Sequence, residues 1–299
     1  MLSKQIYASE VSQVKTVVCF LVINKIELLP EIAIASMRAV TNSQVYIGFI
    51  NSEDIQNIPK FSGVTYVNLS PEKSAGQINK YQDFTQKEFY SLVQYKWILL
   101  QKVLTLSSAS NVIYVDLDVL WVRNPIPSVE NLFENSNYLV AIQDFTKDIS
   151  SPNLCMGFVA FKNSPKTFRL LEEASLLHSR MLEVNDKVGD DDVITEMYGL
   201  STWREFISLL PQATFPVGNL ANLYSKKNLY PGLSFIKPYI FHTNYVIGNR
   251  RKVEFMLLMA NTFGIKIKLP RILVVKIFVK IRLKRLKYLI SSLGNRFLD

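Results

Sequence analysis

Cysteine is nearly missing: only Cys19 and Cys155 occur in 299 residues. That excludes a disulfide framework, and no zinc-type Cys/His spacing occurs, so a reducing, cytoplasmic setting is the expectation. Cys19 stands inside the apolar run TVVCFLVI and reads as a core residue. Long hydrophobic runs are missing too. No stretch of about 18 uncharged apolar residues exists, so no transmembrane helix is expected. Residues 1–14 are polar and 17–23 too few to span a bilayer, which argues against a signal peptide. There is no internal repeat, and no low-complexity linker before residue 265. Excess charge is also missing from the body. The net charge is +9, but residues 266–299 hold ten Lys/Arg against one acid. The remainder is balanced, which argues against a nucleic-acid-binding body and against a nucleic-acid partner.

What is present is a globular pattern, 48% hydrophobic and 20% charged, long enough to bury a sizeable core. Residues 16–23 read as a buried strand, with Asn24 at its carboxyl end. Residues 29–40 read as a helix, with Pro30 at a permitted early position. Residues 44–50 and 64–67 read as further strands. This strand-helix-strand opening predicts a right-handed crossover and a parallel sheet, with ligands at the strands' carboxyl ends near Asn24 and Asn51. Residues 70–83 read as a loop, and 86–106 as a long helix, broken or bent within. Tyr90, Val93, Trp97, Leu100 and Leu104 form its apolar stripe, and Lys96 and Lys102 lie off it. Strands follow at 138–142 and 155–161, and an amphipathic helix, carrying His178 as a packing residue, at 166–181. Gly189 and the run Asp190–Asp192 open another helix, where carboxylates suit the positive helix start. Residues 210–217 and 234–242 read as edge strands or extended segments.

The stretch VIYVDLDVLWVRNP, residues 112–125, carries the chemistry. Read as one strand, it puts Asp116 and Asp118 on the same face, about 7 Å apart. Two carboxylates so placed repel unless a positive group lies between them, and a hard divalent cation with oxygen ligands suits that position. The bland alternative is a strand whose two acids meet solvent or backbone donors. Asn124, Pro125 and Pro127 then end the segment.

In order, the pieces YKWILLQKVL, YVDLDVLWVRNPIP, CMGFVAFKNSP, GDDDVITEM, LPQATFPVG and HTNYVIGNRRK resemble the nucleotide-diphospho-sugar transferases. These are glycosyltransferases of the GT-A fold, and the likeness is to the retaining group that carries DVDVVWLRNP. It covers residues 16–258 or so. It implies a Rossmann-like α/β/α sandwich with a mostly parallel central sheet, and an enzyme that takes a sugar from a nucleotide-diphosphate donor, a UDP-sugar foremost. It further implies a divalent metal, Mn2+ or Mg2+, on Asp116 and Asp118, with His242 as third ligand. Gly248 and Lys252 match the loop that closes over the phosphates, and Arg250 or Arg251 can share that task. Donor contacts are thus expected at Asn24, Lys96, Asp116, Gly248, Arg251 and Lys252. The pair that meets the transferred sugar falls on Asp190 and Asp191, the catalytic candidates, with aspartate where the family has glutamine. The family's N-x-G becomes Cys155-Met156-Gly157, which removes an amide contact to the sugar. Gln143 and Asp144, at a strand end, are candidates for the acceptor side. Tyr90 and Trp97 are read as core.

After Pro270, Ile272, Val275, Val279, Leu283, Leu286 and Ile290 form one helical stripe, and Lys276, Lys280, Lys284 and Lys287 another. This is the pattern of a basic amphipathic helix on an anionic membrane surface, through residues 270–290. The alternative is packing on the protein's own body. The expected division is therefore a transfer domain over 1–265 and a membrane-associating tail over 266–299. It suits an enzyme on the cytoplasmic side of a membrane acting on a glycan or lipid-linked acceptor. Two readings compete. One is a nucleotidyltransferase acting on sugar phosphates, against which stands the lack of a Gly-rich loop after the first strand. The other is a non-catalytic carbohydrate- or membrane-binding protein, against which stand Asp116, Asp118 and His242.

Overall fold

The apolar runs become a sheet covered on both faces. A computed structural model describes residues 14–23, 28–50, 60–70, 87–144, 152–217, 237–244 and 246–267. Strand β1 (Thr16–Val22) is buried throughout. Its Val18, Phe20 and Val22 enter one core, and Val17, Cys19 and Leu21 the other. A strand with no polar alternation is what a central, doubly covered position requires. Beside it run β2 (Val45–Phe49) and β3 (Val64–Asn68) on one side and β4 (Asn111–Val115) on the other, all parallel. The sheet continues through β6 (Val140–Asp144), β7 (Leu154–Lys162) and β8 (Ile207–Leu209), in the order β3-β2-β1-β4-β7-β6-β8. Only β7 runs against its neighbours.

One face is covered by α1 (Leu29–Arg38), α4 (Ile126–Glu134) and α8 (Asn249–Phe263). The other is covered by α3 (Tyr95–Leu106), α5 (Pro165–Val184) and α6 (Asp190–Gly199). The expected α/β/α sandwich is therefore present. The bend expected within 86–106 falls at Gln94, between α2 (Lys87–Val93) and α3. In α3 and α5, Trp97 Nε1 donates to His178 Nδ1 at 3.0 Å, and His178 Nε2 meets the Val188 carbonyl at 3.1 Å. His178 thus packs between α3 and the segment at Val188, and burial pushes its imidazole below the usual range.

Two expectations are corrected. Asp116 and Asp118 do not lie on a strand: β4 stops at Val115, and 116–118 form a turn closed by Val119 N on the Asp116 carbonyl at 3.2 Å. The turn leads into β5 (Val119–Trp121), which pairs with β9 (Ile240–His242) as a separate two-stranded ribbon. Residues 240–242, read as an edge strand or extended segment, are thus a strand, β9, in the ribbon. Residues 210–217 add no strand to the sheet: its edge strand is β8, and Pro211 starts a turn instead. Pro125 and Pro127 end β5 but also start α4, whose first turn tolerates proline. A short helix, α7 (Ser201–Arg204), links α6 to β8. The predicted loop at 70–83 and the basic helix lie outside the described residues, except for Ser70.

The start of α5 gives a stability test. Ser164 Oγ accepts from Thr167 N at 3.1 Å and so caps the longest described helix. Ser164→Ala should lower the unfolding free energy by about 1 kcal/mol in urea titration, with unchanged slope.

Candidate active site

At the carboxyl end of β4, a cavity of about 420 Å³ opens among β4, α1, α2, α3, α6 and the segment from His242 to Lys252. The turn at 116–118 is pinned from two sides. Asp116 N donates to the Gly157 carbonyl at 2.8 Å, and the Asp118 carbonyl accepts from Thr243 N and Oγ1 at 3.0 and 2.9 Å. Bending the chain here, rather than extending it, gathers the two carboxylates. Ligand atoms of Asp116, Asp118 and His242 all lie within 4.8 Å of one another. His242 Nε2 is 3.2 Å from Asp118 Oδ1 but makes no hydrogen bond. A buried, unpartnered imidazole nitrogen facing carboxylate oxygens is a donor set that fits a divalent cation.

His242 reaches this position because β7 has a glycine there. A Cβ built on Gly157 would stand 2.6 Å from His242 Nε2 and 2.8 Å from Nδ1, and closer still to Cε1. The ring occupies the space a side chain would take. On the ring's other edge, Nδ1 is 3.6 Å from Cys155 Sγ. Burial, reinforced by Asp191, pushes the Cys155 thiol well up, so it is not a ready thiolate.

Two lysines neutralise part of the wall. Lys96, 6% exposed, sits 3.0 Å from Asp116 Oδ1 and 2.6 Å from Asp190 Oδ2. The second of these is an ion pair without hydrogen-bond direction. Burial pulls the Lys96 ammonium down, but Asp116 and Asp190 outweigh it and hold it well above the usual lysine range. Tyr114 donates its hydroxyl to Asp116 Oδ1 at 2.8 Å and lies under Lys96. Lys252 reaches Asp118 Oδ2 at 2.6 Å. Burial alone would raise the Asp118 carboxyl, yet Lys252 holds it far below the usual range. Asp191 differs: burial and then Asp190 push its carboxyl well up, although its Oδ1 accepts from Met156 N at 2.6 Å.

Of the residues proposed from sequence, Lys96, Asp116, Asp118, Asp190, Asp191, His242 and Lys252 meet around this cavity. Others do not line it. Gln143 is fully buried, with Nε2 on the Phe215 carbonyl at 3.1 Å, because the β6–β7 register shifts between Ile142 and Gln143. Asp144 turns to Asn153 N at 3.2 Å. Arg251 is exposed on α8, and Gly248 stands just before it with φ of +89°, the left-handed region that glycine tolerates. Asn24 lies outside the described residues, as does Asn51. Sequence reasoning missed Tyr114, Asn153, Asn244, Asn249 and the room left by Gly157. Tyr90, read as core, faces the cavity. Tyr114 had a signal, standing two residues before Asp116 in the stretch that carries the chemistry.

A profile described as nucleotide-diphospho-sugar transferase matches residues 53–256. The chain belongs to that family. It is an enzyme, a glycosyltransferase of the nucleotide-diphospho-sugar type, and neither competing reading is needed. Among solved structures, the galactosyltransferase LgtC, in complex with donor and acceptor sugar analogs, matches with TM-score 0.52 and 11% identity. That match covers 85% of this chain and 97% of LgtC. A glycosyltransferase involved in glycosylation of the major capsid of PBCV-1 matches at 0.51 and 12%, over 81% of this chain and 99% of that one. The glycosyltransferase GlyE of Streptococcus pneumoniae TIGR4 gives 0.49 and 13%, over 86% of this chain and 65% of GlyE. The transferase thus spans about two thirds of GlyE's length. At these identities the likeness is one of fold, the GT-A sandwich. No curated protein sequence matches the transferase.

Two outcomes follow for the transferase. Gly157→Ala should displace the imidazole and cost about 1–3 kcal/mol in denaturant titration. A loss under a few tenths would mean the ring has other room. Asp191→Asn should change the pH profile of stability in chelator. The unfolded carboxyl releases its proton near about pH 3.9, while the folded one keeps it to higher pH. Over that window the folded state binds more protons, so wild-type stability falls as pH rises. The Asn variant should therefore gain on wild type as pH rises above about 4, read as urea midpoints. A gap that shrinks with pH would contradict the raised carboxyl.

Proposed function

We propose that the transferase moves a sugar from a nucleotide-diphosphate donor, a UDP-sugar foremost, to a glycan or lipid-linked acceptor. In this reading Asp116, Asp118 and His242 hold Mn2+ or Mg2+. The observation that carries it is the charge of the cavity wall. Asp116, Asp118, Asp190, Asp191 and Asp192 line it against two ammonium groups, Lys96 and Lys252. A donor diphosphate is itself anionic and would be repelled by such a wall. A divalent cation at its centre offsets most of that excess. When bound, the ion supplies Lewis acidity, neutralising charge that develops on the departing diphosphate.

The chain's own residues complete the site. Lys252 and Asn249 bring the positive start of α8 to the cavity, where it suits phosphate oxygens. Lys96 keeps Asp116 and Asp190 apart in charge and fixed in position. Asp190 and Asp191 are suited to accept hydrogen bonds from sugar hydroxyls. Asp190 already faces Lys96, and Asp191 the Met156 amide. Such commitments favour holding the sugar over attacking it. Retention then proceeds at the front face: the acceptor enters on the leaving-group side, and the departing phosphate takes its proton. A glycosyl ester recovered on either aspartate after peptide digestion would overturn that route.

The transfer domain is taken as residues 1–265 and the basic segment 266–299 as an appendage that rests on an anionic membrane from the cytoplasmic side. The support is the spacing of its apolar and basic residues. Among the described residues, no helix is long and apolar enough to cross a membrane.

Hydrolysis of a panel of nucleotide sugars tests the central reading. Activity should saturate with Mn2+, vanish in chelator and return on re-addition. Asp118→Asn should lower kcat/KM by about 100-fold or more, since a lost cation removes several kcal/mol of charge stabilisation. Full turnover in chelator would sink the proposal.

A further inference from the structure

His242 must present one ring nitrogen as a lone pair if it is to hold a cation, and a neutral imidazole carries its single proton on the other. What meets the far nitrogen therefore decides whether the near one can bind. In ordinary histidine metal sites that partner is a carboxylate, a carbonyl or water. Here it is a sulfur: Cys155 Sγ lies 3.6 Å from Nδ1, and both groups are buried. The same sulfur accepts from Asn244 Nδ2 at 3.8 Å, so it is already used as an acceptor. Nε2, by contrast, has no hydrogen-bond partner and faces the Asp118 carboxylate at 3.2 Å.

We propose that Cys155 is a positioning residue: its sulfur accepts the Nδ1 proton of His242 and so turns the Nε2 lone pair toward Asp116 and Asp118. The inference rests on the metal-centred reading given above. Cys155 touches the imidazole, not the ion, and the space left by Gly157 admits the ring.

The protein offers an internal control, because it has two histidines. At His178 the Trp97 indole can only donate, so Nδ1 accepts and the proton sits on Nε2. The two imidazoles should thus be opposite tautomers. Nitrogen-15 histidine labelling, read by NMR on full-length, metal-free protein at about pH 8.5, above the usual histidine range, should give one Nε2–H pattern and one Nδ1–H pattern. Cys155→Ala should remove the Nδ1–H preference while leaving His178 unchanged. It should also weaken Mn2+ binding about 10-fold or more, the usual effect of losing an outer partner, measured by electron paramagnetic resonance of free Mn2+. Thermal unfolding checks that the variant is folded. If it is not, the wild-type spectrum still decides.

Two Nε2–H histidines in the wild type would overturn the proposal, as would a Cys155→Ala variant that loses only one of tautomer and affinity, or neither. If the wild type binds no Mn2+, the metal reading falls, and the tautomer comparison alone then decides what Cys155 does.

Discussion

Crowded negative charge governs this structure. Five carboxylates face one cavity, and several are largely removed from water, where an unpaired charge is costly. The surroundings can be understood as responses to that constraint. Lys96 is buried between Asp116 and Asp190, and Lys252 reaches from α8 to Asp118. Backbone amides of Met156 and Gly189 serve Asp191 and Asp192. Asp191 retains its proton to higher pH than a solvated carboxyl. Even so the wall stays short of positive charge.

The sheet supplies the precision that this arrangement needs. β7 is the one reversed strand, and it is also the strand that touches most of the site. Its Gly157 carbonyl ends the β4 ladder at Asp116, its missing side chain admits the imidazole, and Cys155 and the Met156 amide meet His242 and Asp191. Three consecutive residues thus serve three different site groups. A loop could not hold them to tenths of an ångström.

Much of this was legible in the chain itself. The apolar runs announced the layered α/β fold, because strands buried on both faces leave no alternation to confuse with amphipathic helix. The motif set also pointed to Asp116, Asp118 and His242, which the fold brings together although 124 residues separate the last two. Where reading failed, tertiary detail had overridden local pattern. Continuing the strand through Asp118 ignored the bonds from Thr243 that fold the turn. A strand-end position pointed Gln143 at the acceptor, but its side chain is buried in the core beside a register shift. Arg251 could not be told from Lys252 by type, since only helical phase decides which reaches inward. The role of Gly157 had no local signal at all: its neighbour in space comes from β9.

The ribbon of β5 and β9 has a consequence for how the enzyme comes into being. It joins Val119 to His242 across more than a hundred residues that include four helices and three strands of the main body. Contacts of such sequence separation tend to form late, after nearer ones have closed the intervening chain. During synthesis the sheet's first half can assemble long before the imidazole has emerged from the ribosome. His242 would then be among the last of these side chains to take its place in the cavity wall.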